Sequence, residues 1–295
     1  MARIVVTGGA GFLGSHIADA LTKKGHSVVI FDVVKSPYLK ENQEFVQGDI
    51  RDIDLVNTVL ENADYVYHLA ALADLNEAKK KPIESIEINI KGTAILLEAA
   101  VKNKVKRFIF GSSVYVYSKQ GGFYRCSKQA CEAYLEEYHK QYGLNYTVLR
   151  YGSLYGPRTD ETNGVYRLLK KVKEEGTYIY SGKSTDKREY IHVYDAANLS
   201  AQILDDQYEN KHYVLSGNDR LEVNELFRMF EEILGKKLDV IYEGDVNGTN
   251  GHYNVTPYTY QPTIGKKLVT NEYVDMGQGI IQLLEEMRLS EENNE

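Results

Sequence analysis

Two residues near the middle of the chain have the types and spacing to do chemistry. Tyr124 and Lys128, in Tyr124-Arg-Cys-Ser-Lys128, stand at i and i+4. On a helix they share a face one turn apart. A free tyrosine has a pKa near ~10 and is a poor base at neutral pH. A neighbouring ammonium favours its phenolate, which can then take a proton from an alcohol. Tyr115-Val-Tyr-Ser-Lys119 has the same form, but Gln-Gly-Gly follows it, and such a segment cannot hold two residues in helical register. Lys128 instead leads into Gln129-Ala-Cys-Glu-Ala-Tyr-Leu-Glu-Glu-Tyr138, a long helical run. Tyr124 and Lys128 are the expected pair, and Tyr115 a packing or substrate-lining residue.

A second constellation opens the chain. Residues 3–7 read as a short buried strand, Thr7-Gly-Gly-Ala-Gly-Phe-Leu-Gly14 as a glycine loop, 15–24 as a helix ending at Gly25, and 27–31 as a second strand. Glycines at Gly8, Gly11 and Gly14 permit a tight turn and close approach of backbone to a pyrophosphate. The helix that follows, with Phe12 and Leu13 at its entrance, offers unpaired N–H groups and a positive dipole end. Glycine-rich turns are common; the strand before and helix after this one are what point to a dinucleotide. Asp32 ends the second strand. A carboxylate there accepts hydrogen bonds from ribose hydroxyls and repels a 2′-phosphate, which favours NAD over NADP. Lys35 does not read as a phosphate clamp.

Those two sites need a scaffold, and the remaining sequence alternates to supply one. Strand-like runs appear at 44–47, 65–69, 107–111, 147–151 and 211–215. Helical patterns appear at 54–62, 83–103, 127–142, 164–175, 194–205, 223–234 and 276–288. Strands separated by helices imply a parallel sheet covered on both faces, an α/β fold with a Rossmann-type doubly wound sheet. After Leu149 the pattern loosens. The expected division is an NAD-binding domain over 1–155, joined by sheet elements from about 190–216. A smaller C-terminal α/β substrate lobe spans 156–189 and 217–289, and 290–295 is a frayed acidic tail.

Composition narrows the function. The net charge is −7, about +2 over residues 1–150 and −9 over the rest. A nucleic-acid reader would show a basic excess, so no nucleic-acid partner is expected. No apolar run approaches a membrane span, and a strand plus glycine loop at the start is no secretory signal. Cys126 and Cys131 lie five apart on one helical run and point to different sides, so no disulfide is expected and a cytoplasmic location fits. No Cys/His/Asp grouping has metal-ligand spacing.

Thr7-Gly-Gly-Ala-Gly-Phe-Leu-Gly14 resembles the glycine loop of the extended short-chain dehydrogenase/reductases, the nucleotide-sugar epimerases and dehydratases. The resemblance covers nearly the whole chain and is densest before residue 160. It places Asp49 and Ile50, in Gly48-Asp-Ile-Arg-Asp52, at the adenine. It brings Leu69, Ala70 and Ala71, in His68-Leu-Ala-Ala71, past the cofactor. The resemblance further implies that Lys128 also holds the nicotinamide ribose and that Tyr151 lies beside the nicotinamide. Counting back from Val116-Tyr117, Ser113 matches the catalytic Ser/Thr, with Ser112 as the fallback. Ser153, Tyr180 and Arg188 fall at substrate positions, Arg188 where an arginine grips the diphosphate. His68 reads better as a satisfied core histidine than as a catalyst, and Asn89 as a structural bridge.

Three departures bear on the reaction. The Asp-Glu pair of the family's dehydratases is replaced by Val114-Tyr115, and neither can act as an acid, so dehydration is disfavoured. Only ten residues separate Ser113 from Tyr124, about half the usual loop, which implies an open pocket. Ser153 also replaces the asparagine that touches the sugar nucleotide. The resemblance thus implies an NAD-dependent nucleotide-sugar 4-epimerase. A net 4-dehydrogenase comes next, then a dehydratase or a uronic-acid decarboxylase, and last a non-catalytic NAD-binding sensor or scaffold. It also implies a homodimer pairing the helices at 83–103 and 127–142 through Ile90, Ala94, Leu97, Ala130 and Leu135.

Overall fold

The computed structural model describes residues 1–244, 257–259 and 276–292. Seven strands make the central sheet: β1 (Arg3–Thr7), β2 (Ser27–Asp32), β3 (Gln43–Gln47), β4 (Tyr65–His68), β5 (Arg107–Ser113), β6 (Tyr146–Tyr151) and, after three strands that lie outside this sheet, β10 (Lys211–Leu215). Their order is β3-β2-β1-β4-β5-β6-β10, and every pairing is parallel. Parallel strands must be covered on both faces. Accordingly Ile4 and Val6 of β1 face α1 (Phe12–Lys23) and α8 (Val193–Gln202), while Val5 faces the other layer with α2 (Ile53–Val59), α5 (Gly92–Lys102) and α6 (Gly122–Tyr142). The chain leaves β1 toward β2 on one side and reaches β4 on the other. Such a switch point opens a crevice at the carboxyl ends of the strands.

Three local features position the site. Between α4 (Pro82–Ser85) and α5, residues Ile86–Lys91 widen into a π turn where a regular helix over 83–103 was expected. Such turns are frequent at functional sites, and this one carries Asn89. A short helix the periodicity did not show, α3 (Leu75–Lys80), is capped by Asp74, whose carboxylate accepts from the Glu77 N–H at 2.8 Å. The helix bearing Tyr124 begins at Gly122, earlier than expected, behind Gly121 at φ +91°. Tyr124 therefore sits in the first turn of α6.

The lobe has its own small core, formed by α7 (Gly164–Glu175) and α9 (Val223–Leu234) through Val172, Leu226, Phe227 and Phe230. β9 (Lys187–His192) pairs with β7 (Ser153–Tyr155) and β11 (Arg220–Glu222), and β8 (Thr177–Tyr180) with β12 (Asp239–Tyr242). The chain forms two compact units, 1–260 and 261–295. In the second, α10 (Met276–Glu292) continues through positions expected to be tail, while 293–295 lie outside the described residues. Among the described residues no helix is long and apolar enough to cross a membrane.

Candidate active site

A cleft of about 550 Å³ lies over the carboxyl ends of β1, β2, β4, β5 and β6. Gly8, Gly11, Phe12, Leu13, Gly14, Asp32, Asp49, Ile50, Leu69, Ala70, Ala71, Ser112, Ser113, Tyr124, Lys128 and Tyr151 all line it. Ser153 does not, although its neighbours Gly152 and Leu154 do. Tyr180 packs against Phe227 and Tyr242 in the lobe. Arg188 stands on β9 within electrostatic reach of Tyr180, Tyr190 and Tyr115.

The cofactor end is built from backbone. Gly8 takes φ +69°, and a Cβ on it would lie 2.5 Å from the Ala70 nitrogen, so the turn packs directly on the chain after β4. No side chain caps α1 and no acid lies in its first turn. Its N–H groups and positive end therefore face the cleft, the arrangement a pyrophosphate needs. Asp32 accepts from the Ala10 N–H at 3.0 Å and the Val34 N–H at 3.2 Å, so it caps its loop and still stands in the cleft wall. Each carboxylate oxygen keeps capacity for a ribose hydroxyl. The Arg51 side chain clasps Asp49 at 2.5–3.1 Å and holds its carboxyl below the usual range. These residues fit a dinucleotide.

His68 is a buried structural residue. Thr93 donates its hydroxyl proton to the Asn89 carbonyl, so it must accept from His68 Nε2 at 2.9 Å. Nδ1 then accepts from the Thr7 hydroxyl at 2.7 Å. Burial pushes the imidazole well below its ordinary pKa, and it is neutral. Asn89 bridges as expected: its side chain meets both the N–H and the carbonyl of Leu72, at 2.7 and 3.2 Å, and Ser127 Oγ at 2.9 Å.

The chemical end gathers at β5 and α6. Lys128 is buried, with Nζ donating to the Gly111 carbonyl at 2.7 Å and lying 5.7 Å from the Tyr124 ring centroid. Burial pulls its ammonium down to about 8, partly offset by Cys131 and Glu132. Burial likewise pushes the Tyr124 phenol well up, Cys131 adds to this, and Ser113 opposes it. Ser113 ends β5 and accepts the Tyr115 N–H at 3.3 Å. The cleft therefore holds a tyrosine, a lysine and a serine that can bridge, orient and move a proton between an alcohol and the phenol. Tyr151 has its hydroxyl tied to Ser200 at 2.7 Å and offers its ring.

Sequence reasoning left out Glu132. It lies four residues beyond Lys128, so the i, i+4 spacing that found Lys128 from Tyr124 would have found it too. Its carboxylate accepts from Ser112 Oγ at 2.5 Å and from Arg150 Nε and Nη2 at 3.0 and 2.6 Å. Burial favours the neutral acid, but His212, Arg150 and Ser112 outweigh it and hold the carboxyl at about 2. Arg150 supplies the firm contacts; His212 Nδ1, at 3.7 Å from the carboxylate, is beyond hydrogen-bonding range. Because the folded pKa lies below the ordinary 4.5, this stabilisation is complete above about pH 4.5 and is lost as pH falls toward 2. It amounts to about 3 kcal/mol. Urea midpoints should therefore drop between pH 5 and pH 3 in the wild type and drop less in Glu132→Gln. An equal drop in both would remove Glu132 as the cause.

A Rossmann sheet whose nucleotide cleft also holds a helical tyrosine–lysine pair beside a serine is the arrangement of a short-chain dehydrogenase/reductase. The chain belongs to the NAD dependent epimerase/dehydratase family, which it matches over residues 4–216, and its cofactor is NAD. It is similar to the crystal structure of UDP-glucose 4-epimerase from Thermotoga maritima with UDP-glucose: 30% identity, TM-score 0.77, covering 88% of this chain and 90% of that one. The UDP-glucose 4-epimerase of Thermus thermophilus in complex with NAD gives 26%, 0.75, 90% and 95%. A UDP-N-acetyl-alpha-D-glucosaminuronate decarboxylase from Bacillus cytotoxicus is 28% identical over 81% of this chain and 83% of its own length.

Proposed function

We propose that this protein is a nucleotide-sugar 4-epimerase. The observation that carries the reading is one cleft in which the glycine loop and Asp32 meet Ser113, Tyr124 and Lys128. NAD, when bound, supplies reversible hydride transfer at the sugar carbon. Tyr124 takes the C4 hydroxyl proton, Ser113 bridges the sugar oxygen and the phenol, and Lys128 favours the phenolate and holds the nicotinamide ribose. Asp32, Asp49 and Ile50 hold the adenosine half. Leu69, Ala70, Ala71 and Tyr151 line the path to the reacting carbon. If the 4-keto sugar turns over in the cleft and is reduced on its other face, C4 is inverted; if it leaves, the outcome is a net dehydrogenation. Val114 and Tyr115 leave no acid beside Ser113 for dehydration. Arg188 is assigned to the diphosphate, Tyr180 to the base or its ribose, and Ser153 to the sugar nucleotide.

Residues 1–155 with 190–216 form the NAD-binding part in this reading, and the lobe elements the substrate part. The protein works in the cytoplasm as a homodimer. Leu97 and Leu135 belong to the intrachain core, while Ile83, Ile86 and Tyr134 remain exposed on the proposed pairing helices, so these three are the contacts to test by light scattering.

The deciding experiment denatures the purified protein and quantifies released NAD and NADH. Fresh protein is then given UDP-, GDP- and dTDP-sugars while absorbance at the NADH band and product stereochemistry are followed. Retained cofactor, an inverted C4 and no net NADH are expected. Accumulating NADH with a keto sugar would make it a dehydrogenase, and loss of carbon dioxide from a uronic acid a decarboxylase.

A further inference from the structure

We propose that Glu132 is a positioning residue for this reaction: its buried carboxylate keeps Lys128 as the ammonium and fixes the strand end that carries Ser113. The inference rests on the catalytic reading of Tyr124 and Lys128 and deepens it.

The geometry makes Glu132 the junction of four elements. Ser112 and Arg150 are cross-strand partners on β5 and β6, and both reach Glu132 on α6. Arg150 Nη2 also meets His212 Nδ1 on β10 at 2.8 Å, and His212 Nε2 meets Glu136 at 3.1 Å. Because the guanidinium can only donate, Nδ1 must accept, which fixes His212 as the Nε2–H tautomer. Arg150 further contacts the Tyr117 hydroxyl in the turn after Ser113. The ends of β5 and β6 are thus pinned to the helix that carries Tyr124 and Lys128.

The charge argument is independent of the pinning. Lys128 is faced by Tyr124, Cys131 and Glu132 on α6, by His68 on β4, and by the Phe110 ring and Gly111 carbonyl of β5. His68 is neutral. Burial pushes the Cys131 thiol up, so it carries no charge at neutral pH. Tyr124 is a neutral phenol until it acts. Glu132 is then the standing negative charge among these groups, and it compensates part of the cost of burying the ammonium. Arg150 and Ser112 keep it ionised across the working range, and His212, Glu136, Tyr117 and Tyr146 complete the polar surroundings.

A charge role and a scaffold role differ in their pH signature. Removing a fixed anion lowers the pKa of both members of a coupled Tyr–Lys pair, so both limbs of the rate profile move the same way. In Glu132→Gln the alkaline limb of kcat should move down by about one pH unit. The acid limb should follow by less, since Tyr124 lies two turns away. kcat per bound NAD should fall about 10–100-fold with KM changed less than about threefold, and Glu132→Asp should restore the limbs. Because Glu132→Gln leaves the buried Arg150 charge without its carboxylate partner, the double variant Glu132→Gln/Arg150→Met serves if the single one does not fold; its limbs should also move down. Lys128 is read without turnover by ¹³C NMR of its Cε, assigned with Lys128→Arg: its titration near 8 should fall in both Gln variants. Unmoved limbs and an unmoved Cε titration would overturn the proposal. If wild-type protein turns over no nucleotide sugar while Cε still shifts, the fault lies with the functional reading instead.

Discussion

Tyr124→Phe should lower kcat about 1,000-fold while the protein keeps its NAD and its fold. The ring still fills the cleft wall beside Lys128; only the oxygen that accepts the sugar proton is gone. General-base groups contribute about 10²–10⁴-fold, and a 1,000-fold loss corresponds to about 4 kcal/mol of transition-state stabilisation. Since the phenol is strongly disfavoured from ionising by burial, its activation depends on the Lys128 ammonium and on the positive charge of the bound cofactor. Lys128→Met should therefore approach the loss seen for Tyr124→Phe, and the double variant should be little worse than either, as expected for groups acting as a unit. Tyr115→Phe gives the contrast. It stands in the competing Tyr-x-x-x-Lys run, but there the chain forms a single tight turn, Val114–Tyr117, and then reaches Gly121 and Gly122, both at positive φ. Its loss should stay below about 10-fold. The measurement is initial rates for the three single variants with NAD content determined on each. Tyr124→Phe within tenfold of wild type, or Tyr115→Phe at its level, would sink the assignment.

The same contrast shows what could be read from the residues. β1, β5 and the glycine turn were legible because buried parallel strands are continuous apolar runs and because the turn needs glycine at fixed places. Ile4, Val5 and Val6 are wholly buried, as such a run requires. The π turn at Ile86–Lys91 was not legible: its apolar residues continue the helical spacing of the run around them, and the widening accompanies the contacts of Asn89 with Leu72 and Ser127, partners 17 and 38 positions away. Helix α3 was hidden because six residues give less than two full turns of periodicity, and its Asp74 cap is a local signal that many loops share. Ser112 was the fallback for the catalytic serine, and its hydroxyl donates to Glu132, a contact set by cross-strand register with Arg150 that no single-strand pattern encodes. The lobe strands β8, β11 and β12 are short and half-exposed, and their side chains pack on the core around Phe227.

Gly14→Ala should abolish NAD retention. A Cβ at Gly14 would lie 2.1 Å from the Gly8 carbonyl oxygen and 2.9 Å from the Gly8 carbonyl carbon and the Gly9 Cα. All three are backbone atoms of the turn, so no side chain can move aside. Relief requires α1 to back away from the loop, which carries the N–H groups of Phe12 and Leu13 off the pyrophosphate position. Gly8 cannot yield in turn, because it is already packed on the Ala70 backbone. The affinity for NAD should fall at least 100-fold, about 3 kcal/mol, and overpacking should lower the apo protein's stability by about 1–3 kcal/mol. Gly25→Ala separates contact from backbone strain. Gly25 also takes positive φ, +84°, but nothing lies within 4 Å of its Cβ position. That variant should show a small stability loss and wild-type NAD content. Released NAD per protomer and titration calorimetry with added NAD read the difference. Full cofactor in Gly14→Ala would mean that the entrance of α1 does not hold the dinucleotide, and with it would fall the placement of Asp32 at the ribose and of Tyr124 and Lys128 at the nicotinamide.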